Sequence, residues 1–417
     1  MMMIRKAGNT IGSGVLFAAC IGVGAYAPAN AETRAEVRVS AGIGVENNPF
    51  LLEDGTDAGA SVAAELDVAP RVTISNERTS FSFYGNARLR QFFDNYDTTG
   101  DLLLGAQGTT RVDERTQLGA GATIQTSRSA AQDAFILGGQ DLIELEPGVT
   151  PTIPIIDPTI AGARTRFTTY GVTGSANRQL TERDSVSLGL SFSQSETSND
   201  LGLDYRVADA VLGYSRRLNE RTSLRASVGL SRSDLVGLEV GDAFSITPLI
   251  GVQQQVSPRL NWSAQVGASF SEVDDGLGGT TSDTGLAFSV NGCRQDARGR
   301  LCLTAERQAR PTTFSGLTNS TAVVVGYDLD LGVRDSLRFD ATYRKSDRIT
   351  STLLLPEALG DDDEFYGVST TYRRTFTDRF SAFASASYAQ VDSDLFPDRD
   401  ANIRGYVGLS YIFGRRR

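Results

Sequence analysis

Residues 403–413 read I-R-G-Y-V-G-L-S-Y-I-F, and this stretch decides the fold class. In an extended strand, successive side chains point to opposite faces, so the stretch has one apolar face and one polar-leaning face. The apolar face carries Ile403, Gly405, Val407, Leu409, Tyr411 and Phe413. The other face carries Arg404, Tyr406, Gly408, Ser410 and Ile412. Such alternation predicts a strand in a barrel wall that separates lipid from a water-filled interior.

The same alternation recurs along the chain between short charged turns. The turns lie at 75–80, 113–116, 181–185, 219–223, 257–260, 294–300, 333–336 and 377–380. Longer loop-like segments alternate with them, at 46–59, 94–100, 130–163, 198–204, 236–242, 273–283, 311–317, 349–363 and 393–401. Together they predict an all-β, transmembrane, up-and-down antiparallel β-barrel of about eighteen strands (16–18), with short periplasmic turns and longer extracellular loops. We expect the first strand, at about 36–45, to pair with the last and close the sheet.

Composition favours this class over a soluble β-sandwich. The chain has 43 Gly but only three Met and one Trp, which suits strands and turns. A sandwich also alternates, but its polar face looks outward and its core face carries larger side chains. Here one face is Ser, Gly, Thr, Arg and Asp in strand after strand, which indicates a membrane barrel with a polar interior.

Two local sequence features predict details of one strand and of the first outer loop. Pro248 predicts a bulge or a rim position in its strand, because proline lacks the N–H that a ladder needs. The N-N-P-F motif at 47–50 predicts a turn in the first outer loop, with Phe50 reaching the membrane interface.

Charged side chains on the polar face of several strands are candidates for lining the interior. They are Arg88, Arg90, Arg225, Arg338, Arg344, Asp328, Asp330 and Asp340. Rows of arginine and aspartate could set a transverse field that sorts solutes by charge. The alternative, which we favour, is that a polar lumen only needs its charges satisfied.

The segment 130–163 is the longest predicted loop, and it is rich in proline, glycine and isoleucine. In general porins the third outer loop folds into the lumen and narrows it. By that resemblance we expect this loop to do the same, with Asp141, Glu144 and Glu146 near the constriction. Alternatively, the loop caps the mouth of the barrel or lies on lipid.

Residues 1–31 read as a secretory signal peptide followed by one barrel domain, 32–417. Arg5 and Lys6 precede the apolar run 11–24, and cleavage is expected near Ala31. A competing interpretation makes Cys20 a lipidated first residue. If Cys20 is removed, Cys293 and Cys302 remain, and an even count in a secreted chain predicts a disulfide. The alternative is two unpaired thiols.

The absence of histidine excludes Ser-His and Cys-His mechanisms and nearly all His-ligated metal sites. No G-x-S-x-G or P-loop motif occurs, so we expect no enzyme activity, no catalytic residue, no cofactor and no metal. The acidic tips at 274–275 and 361–364 are expected to be solvated, with calcium binding or bridged lipopolysaccharide as the alternative. A net charge of −10 argues against a nucleic-acid partner.

The last strand also resembles the C-terminal assembly signal of bacterial outer-membrane barrels. The matching positions are Tyr406, Gly408, Tyr411 and Phe413, and the departure is the tail 414–417, since the signal usually stops at the aromatic residue. This resemblance implies the barrel-assembly machinery as a partner and the Gram-negative cell outer membrane as the location.

The mature chain as a whole resembles the family of β-barrel porins associated with exopolysaccharide gene clusters in α-proteobacteria. The resemblance is carried by E-N-N-P-F at 46–50, the N-E-R-T-S turns and the Y-I-F ending. It implies a channel, either for passive diffusion of small solutes or for export of exopolysaccharide, in contact with outer-membrane lipid and lipopolysaccharide. The alternative is a non-conducting structural or adhesive barrel. The sequence does not distinguish monomer from trimer.

Overall fold

The computed structural model describes residues 32–52, 59–128, 166–198, 204–236, 242–274, 279–312, 316–348, 362–393 and 399–414. These residues form the strands β1 (Glu32–Glu46), β2 (Ser61–Ser75), β3 (Thr79–Phe92), β4 (Thr99–Arg111), β5 (Thr116–Ser127), β6 (Phe167–Gln179), β7 (Asp184–Thr197), β8 (Asp204–Arg217), β9 (Thr222–Val236), β10 (Ala243–Ser257), β11 (Leu260–Asp274), β12 (Thr280–Gln295), β13 (Gly299–Thr312), β14 (Gly316–Asp330), β15 (Asp335–Arg348), β16 (Asp362–Thr377), β17 (Phe380–Ser393) and β18 (Asn402–Gly414).

Several predicted features lie outside the described residues. They are the signal segment 1–31 with Cys20 and Ala31, the tail 415–417, and the loop 130–163 with Asp141, Glu144 and Glu146. No helix in the described ranges is long and apolar enough to cross a membrane.

The strands form one closed, antiparallel, 18-stranded sheet, so the predicted fold class is confirmed. Each strand pairs with its neighbours in the chain, and β1 pairs with both β2 and β18. The closing pair runs from Glu36 opposite Gly414 to Glu46 opposite Arg404. Because no edge strand is left, every strand of the ring has a partner strand on each side. Tight turns join the strands at one end of the barrel. The longer connections lie at the other end, which we call the mouth.

Alternation along each strand gives the wall two chemically different faces. On β18, Ile403, Val407 and Leu409 are between 53% and 59% exposed, whereas Tyr406 and Ser410 are 7% and 4% exposed. Directly paired residues share a face, so this assignment extends around the ring from strand to strand. The outer face is rich in exposed Leu, Val, Ile and Phe.

Pro248 interrupts one ladder without shifting it. On the β11 side, Ile246 pairs with Phe270 and Leu249 with Gly267, and the two positions between them have no ladder partner. On the β9 side, Pro248 lies opposite Val228. The missing N–H therefore removes local pairing but produces no bulge at this point; the register shift of β10 lies at Gln255/Ser257.

Candidate functional site: the barrel interior and its mouth

The charged residues predicted to line the interior lie on the inner face of the wall. Arg88 and Arg90 flank Leu89, Arg225 follows Leu224, and Arg338 and Asp340 flank Phe339, and each of these apolar residues is exposed on the outer face. By the same alternation Asp328 and Asp330 lie on the inner side of β14, and Arg344 on that of β15. These residues are not gathered in one place; they form two ionic groups, with Arg225 and Arg344 elsewhere on the wall.

The first ionic group lies near the mouth and is centred on Arg90, which is 1% exposed. Arg90 donates from Nε and Nη2 to Glu65 Oε2 at 3.1 and 3.0 Å, and its Nη1 lies 3.4 Å from Glu46 Oε1. Arg88 Nε lies 3.5 Å from Glu65 Oε1 and 3.7 Å from Asp67 Oδ2. Two arginines of β3 are thus neutralised by carboxylates of β1 and β2.

The last strand joins this group by reaching over the first strand. Arg404 Nη2 donates to Glu65 Oε2 at 2.7 Å, and the Tyr406 hydroxyl donates to the Glu65 carbonyl at 3.3 Å. Both contacts cross β1, where only Gly42 and Gly44 lie beneath the Tyr406 ring. A Cβ on Gly44 would come within 2.5 Å of both the Tyr406 ring and the Gly405 carbonyl oxygen. One on Gly42 would come within 2.3 Å of the Val407 carbonyl oxygen and 2.8 Å of the Tyr406 hydroxyl. Glycine is therefore required at both positions for this close approach.

Sequence reasoning missed Glu46, Glu65, Asp67 and Arg404 as members of the site. The usable signal was the alternation of A-E-L-D at 64–67, which puts two carboxylates on the face opposite Leu66. The cross-strand partners of Arg88 and Arg90 can be predicted once the β2–β3 hairpin is recognised. In that hairpin Asp67 lies opposite Arg88, and Glu65 lies opposite Arg90.

The second ionic group is on β14 and β15, nearer the tight-turn end. Arg338 Nε lies 2.9 Å from Asp340 Oδ2 and 3.8 Å from Asp328 Oδ1. Asp330 is exposed beside the turn. Arg344 is buried closer to the mouth. Arg225 lies apart on β9, between Ser215 and Gly251 of the neighbouring strands.

The N-N-P-F motif folds into the mouth, so the prediction that Phe50 reaches the membrane interface was wrong. Phe50 is 6% exposed and packs against Phe92 and Tyr96, with ring centroids 6.2 and 5.6 Å apart. Phe92 is on the inner face, because it alternates with exposed Leu89 and Phe93. A turn motif predicts that the chain reverses direction, but it does not predict whether the turn packs against the inner or the outer face of the wall.

Residues 47–52, which we call the mouth segment, are held by Asn48. Its Nδ2 donates to the carbonyls of Leu52 and Asp400 at 3.0 and 2.9 Å, and its Oδ1 accepts from the Leu52 N–H at 2.9 Å. Leu51 is fully buried against Phe365, Ala389 and Val391 of β16 and β17. The mouth segment therefore spans the inner wall from β3 to β16.

A second element enters the mouth from the other side: the end of the β13–β14 hairpin around Ala309 and Leu317, which we call the tip. Ladder pairs between β12 and β13 end at Phe288 and Arg307, although both strands continue toward the mouth. Beyond that point Ala309 and Leu317 are buried against Ala243 of β10 and Val273 of β11.

These contacts place the tip inside the wall. Phe244, Phe270 and Leu286 are exposed on the outer face of β10, β11 and β12, so Ala243, Val273 and Asp283 point inward. Asn319 Nδ2 donates to Asp283 Oδ2 at 2.9 Å, and the space over Gly285 is occupied by the Asn319 amide. The tip thus lies behind β10–β12 and narrows the mouth opposite the mouth segment.

Cys293 and Cys302 are joined by a disulfide with a Cα–Cα distance of 4.2 Å. They lie directly opposite each other on β12 and β13, next to the tight turn and far from the mouth. Of the assembly-signal positions, Tyr406 and Gly408 face the interior, and Tyr411 and Phe413 are exposed outside with ring centroids 4.6 Å apart. In the described part of the chain, no group of three His, Cys, Asp or Glu side chains is placed to hold a metal.

The structure defines a closed β-barrel with an apolar outside and a polar inside. Neither a protein-family model nor a curated protein matches the sequence. Among solved structures, OccK2 (OpdF) of Pseudomonas aeruginosa is similar at 13% identity, covering 92% of this chain and 98% of that chain with a TM-score of 0.45.

Two further solved structures are similar at the same level. A BenF-like porin from Pseudomonas fluorescens Pf-5 is 11% identical, covering 92% of this chain and 99% of its own, with a TM-score of 0.45. OprD of Pseudomonas aeruginosa is 10% identical, covering 93% and 96%, with a TM-score of 0.42.

Proposed function

We propose that the protein is an outer-membrane channel of a Gram-negative cell, passing small solutes by passive diffusion or exporting exopolysaccharide. The observation that supports this most is the closed wall with apolar side chains outside and polar ones inside. Barrels of about eighteen strands are wide enough to enclose an aqueous path. No catalytic group is part of the proposal.

Location in a membrane follows from the outer face. Ile250, Leu212, Val407 and Leu409 are 68%, 55%, 55% and 53% exposed, and water would solvate such a surface poorly. Only helices or closed barrels satisfy every backbone group in lipid, and this sheet is closed. Strands such as β18, with 13 residues, exceed the roughly 9–11 residues that a tilted strand needs to span a bilayer.

The finer parts of the proposal come from the sequence. A signal peptide cleaved near Ala31, the barrel-assembly machinery as a partner at the last strand, and contact with lipopolysaccharide all belong to it. The link to exopolysaccharide rests on the E-N-N-P-F, N-E-R-T-S and Y-I-F resemblance alone.

A second candidate function is a non-conducting structural or adhesive barrel. It is favoured by the mouth, where the mouth segment and the tip both occupy space inside the wall. The two functions differ in whether ions cross the barrel.

The deciding experiment is single-channel conductance of the refolded mature protein, residues 32–417, in a planar bilayer, with and without residues 130–163. Folding is checked by heat-modifiable mobility on gels. Steady conductance supports the channel, and a rise on deleting 130–163 supports a constricting role for that loop. No conductance from either folded form overturns the channel and leaves the structural or adhesive barrel.

A further inference from the structure

One long arc of the interior wall, from β5 to β12, presents hydroxyl and amide side chains in place of charges. β7 shows the pattern most clearly: its exposed outward residues are Leu188, Leu190 and Phe192. The inward positions between and beside them are Ser187, Gly189, Ser191, Ser193 and Ser195. Neighbouring strands continue it, with Thr173 opposite Ser191 and Gly121 opposite Thr173.

Few charges interrupt this arc within the described strands: Asp209, Arg217, Arg225 and Asp283. Asp209 accepts a hydrogen bond from Ser191 Oγ at 3.0 Å, and Asp283 accepts one from Asn319. Arg217 donates to the Glu182 carbonyl at the tight-turn end. None of these forms a row of one sign along the lumen.

The rest of the interior wall carries many charges, but they neutralise one another locally. Arg404 and Arg90 lie 2.7 and 3.0 Å from Glu65, and Arg338 lies 2.9 Å from Asp340. Opposite charges at such distances cancel beyond a few ångströms, and salt screens the remainder with a length of about 8–10 Å. A solute near the β5–β12 arc therefore meets little net field from the opposite wall.

The hydroxyls of the arc retain free hydrogen-bonding capacity. Ser191 Oγ, on a half-buried residue, donates to Asp209 Oδ2 at 3.0 Å, and Thr173 and Ser187 are exposed on the same inner face. A hydroxyl has one donor and two acceptor sites, so one such bond leaves sites for another partner.

We propose that the β5–β12 arc is a binding wall for neutral, polyhydroxylated solutes of the sugar class. This inference rests on the proposed channel function. Hydroxyls of such a solute both donate and accept, so they can replace water on Ser, Thr and Gln without loss. A carboxylated solute gives up hydration on entering and finds no row of opposite charge in return.

The test uses the full mature channel in a planar bilayer. We would measure the reversal potential in a KCl gradient, and then block of the current by a neutral hexasaccharide and by its carboxylated counterpart. The double variant Ser191→Val/Ser193→Val removes two hydroxyls of the arc. The matched control, Ser369→Val/Ser385→Val, removes two inward hydroxyls of β16 and β17.

We expect a reversal potential near zero and tighter block by the neutral sugar. The arc variant should bind that sugar more weakly by about threefold to tenfold per lost hydrogen bond, and the control should not. Strong ion selectivity, tighter block by the carboxylated sugar, or equal loss in both variants would overturn the inference while leaving the channel in place. No current from folded wild type would overturn the proposed function itself. The wild-type measurements decide the matter even if a variant fails to fold.

Discussion

Arg404 on the last strand lies 2.7 Å from Glu65 on the second strand, so the ion pair passes over the first strand of the barrel. The two residues are 339 positions apart in the chain. The seam between β1 and β18 is therefore joined twice, by its backbone ladder and by an interior contact that bypasses β1. Arg404 also lies over the Tyr406 ring, 4.9 Å from its centroid, which fixes both side chains along the seam.

Replacing Arg404 should destabilise the barrel more than replacing an exposed arginine. Arg404→Met leaves Glu65 with one partner fewer in a buried site, and we expect a loss of about 1–3 kcal/mol in the free energy of unfolding. The control is Arg232→Met, because Arg232 is 68% exposed and its pair with Asp242 should be worth about 0–1 kcal/mol. Urea unfolding in lipid vesicles measures both, and equal losses would contradict the seam contact.

Gly44→Ala should crowd both the Tyr406 ring and the Gly405 carbonyl oxygen, because the new Cβ would lie 2.5 Å from each. We expect a loss of about 1–3 kcal/mol, as for other overpacked sites. Gly189→Ala is the matched control, since nothing lies within 4 Å of the position that its new methyl group would occupy. In a double-mutant cycle, Tyr406→Leu should remove the part of the Gly44→Ala effect that comes from the ring and leave the part that comes from the Gly405 carbonyl; fully additive losses would show that the ring is not an obstacle.

Weakening the tip should widen the mouth. Leu317→Ala combined with Asn319→Ala removes the apolar contact with Val273 and the hydrogen bond to Asp283, and single-channel conductance should rise. Conversely, oxidation of the variant Ala243→Cys/Leu317→Cys should form a disulfide that fixes the tip to β10. This disulfide should reduce the fluctuations of the open-channel current, and a reductant should restore them. Leu303→Ala, on the outer face of the same hairpin, controls for general loosening. Unchanged conductance in both tip variants would show that the tip does not limit the current.

Removing the disulfide should lower stability without changing conductance. Cys293→Ser/Cys302→Ser opens a short loop, for which the chain-entropy model gives at most roughly 3 kcal/mol. The bond lies beside a tight turn at the end opposite the mouth, so the current path should be unaffected. Thermal midpoints of mobility on gels and single-channel currents check the two statements; a change in conductance would place the disulfide nearer the path than the structure does.

The wall could be predicted from sequence because its rule is local. An inward-facing position can be predicted from the alternation of side chains along its strand. Arg338 and Asp340, for example, are predicted to face inward because they flank the apolar, outward-facing Phe339. Pairs within one hairpin, such as Asp328 with Arg338, also follow once the turn is found. The Arg404–Glu65 contact could not be predicted in this way. It depends on which strands meet when the sheet closes and on the glycines that let the Tyr406 side chain pass over β1.

The mouth was less predictable for a different reason. Phe50 and Leu317 are apolar residues near loops, and an apolar residue there can lean outward to lipid or inward to other side chains. The choice depends on packing partners such as Phe92 and Val273 that come from distant strands. Asn48 likewise reads as a turn residue, while its role is to bond carbonyls of both Leu52 and Asp400.

The end of the β12–β13 ladder at Phe288 and Arg307 also fixes how deeply the barrel can sit in a bilayer. Unpaired strand edges beyond this row cannot lie among acyl chains, where each unsatisfied backbone group costs several kcal/mol. The row continues on the outer face through Thr321, Lys345 and Glu364, which lie opposite one another in successive ladders. In the membrane location proposed above, the unpaired edges of β12 and β13 beyond this row are therefore expected to lie outside the acyl region, at the level of the lipid headgroups.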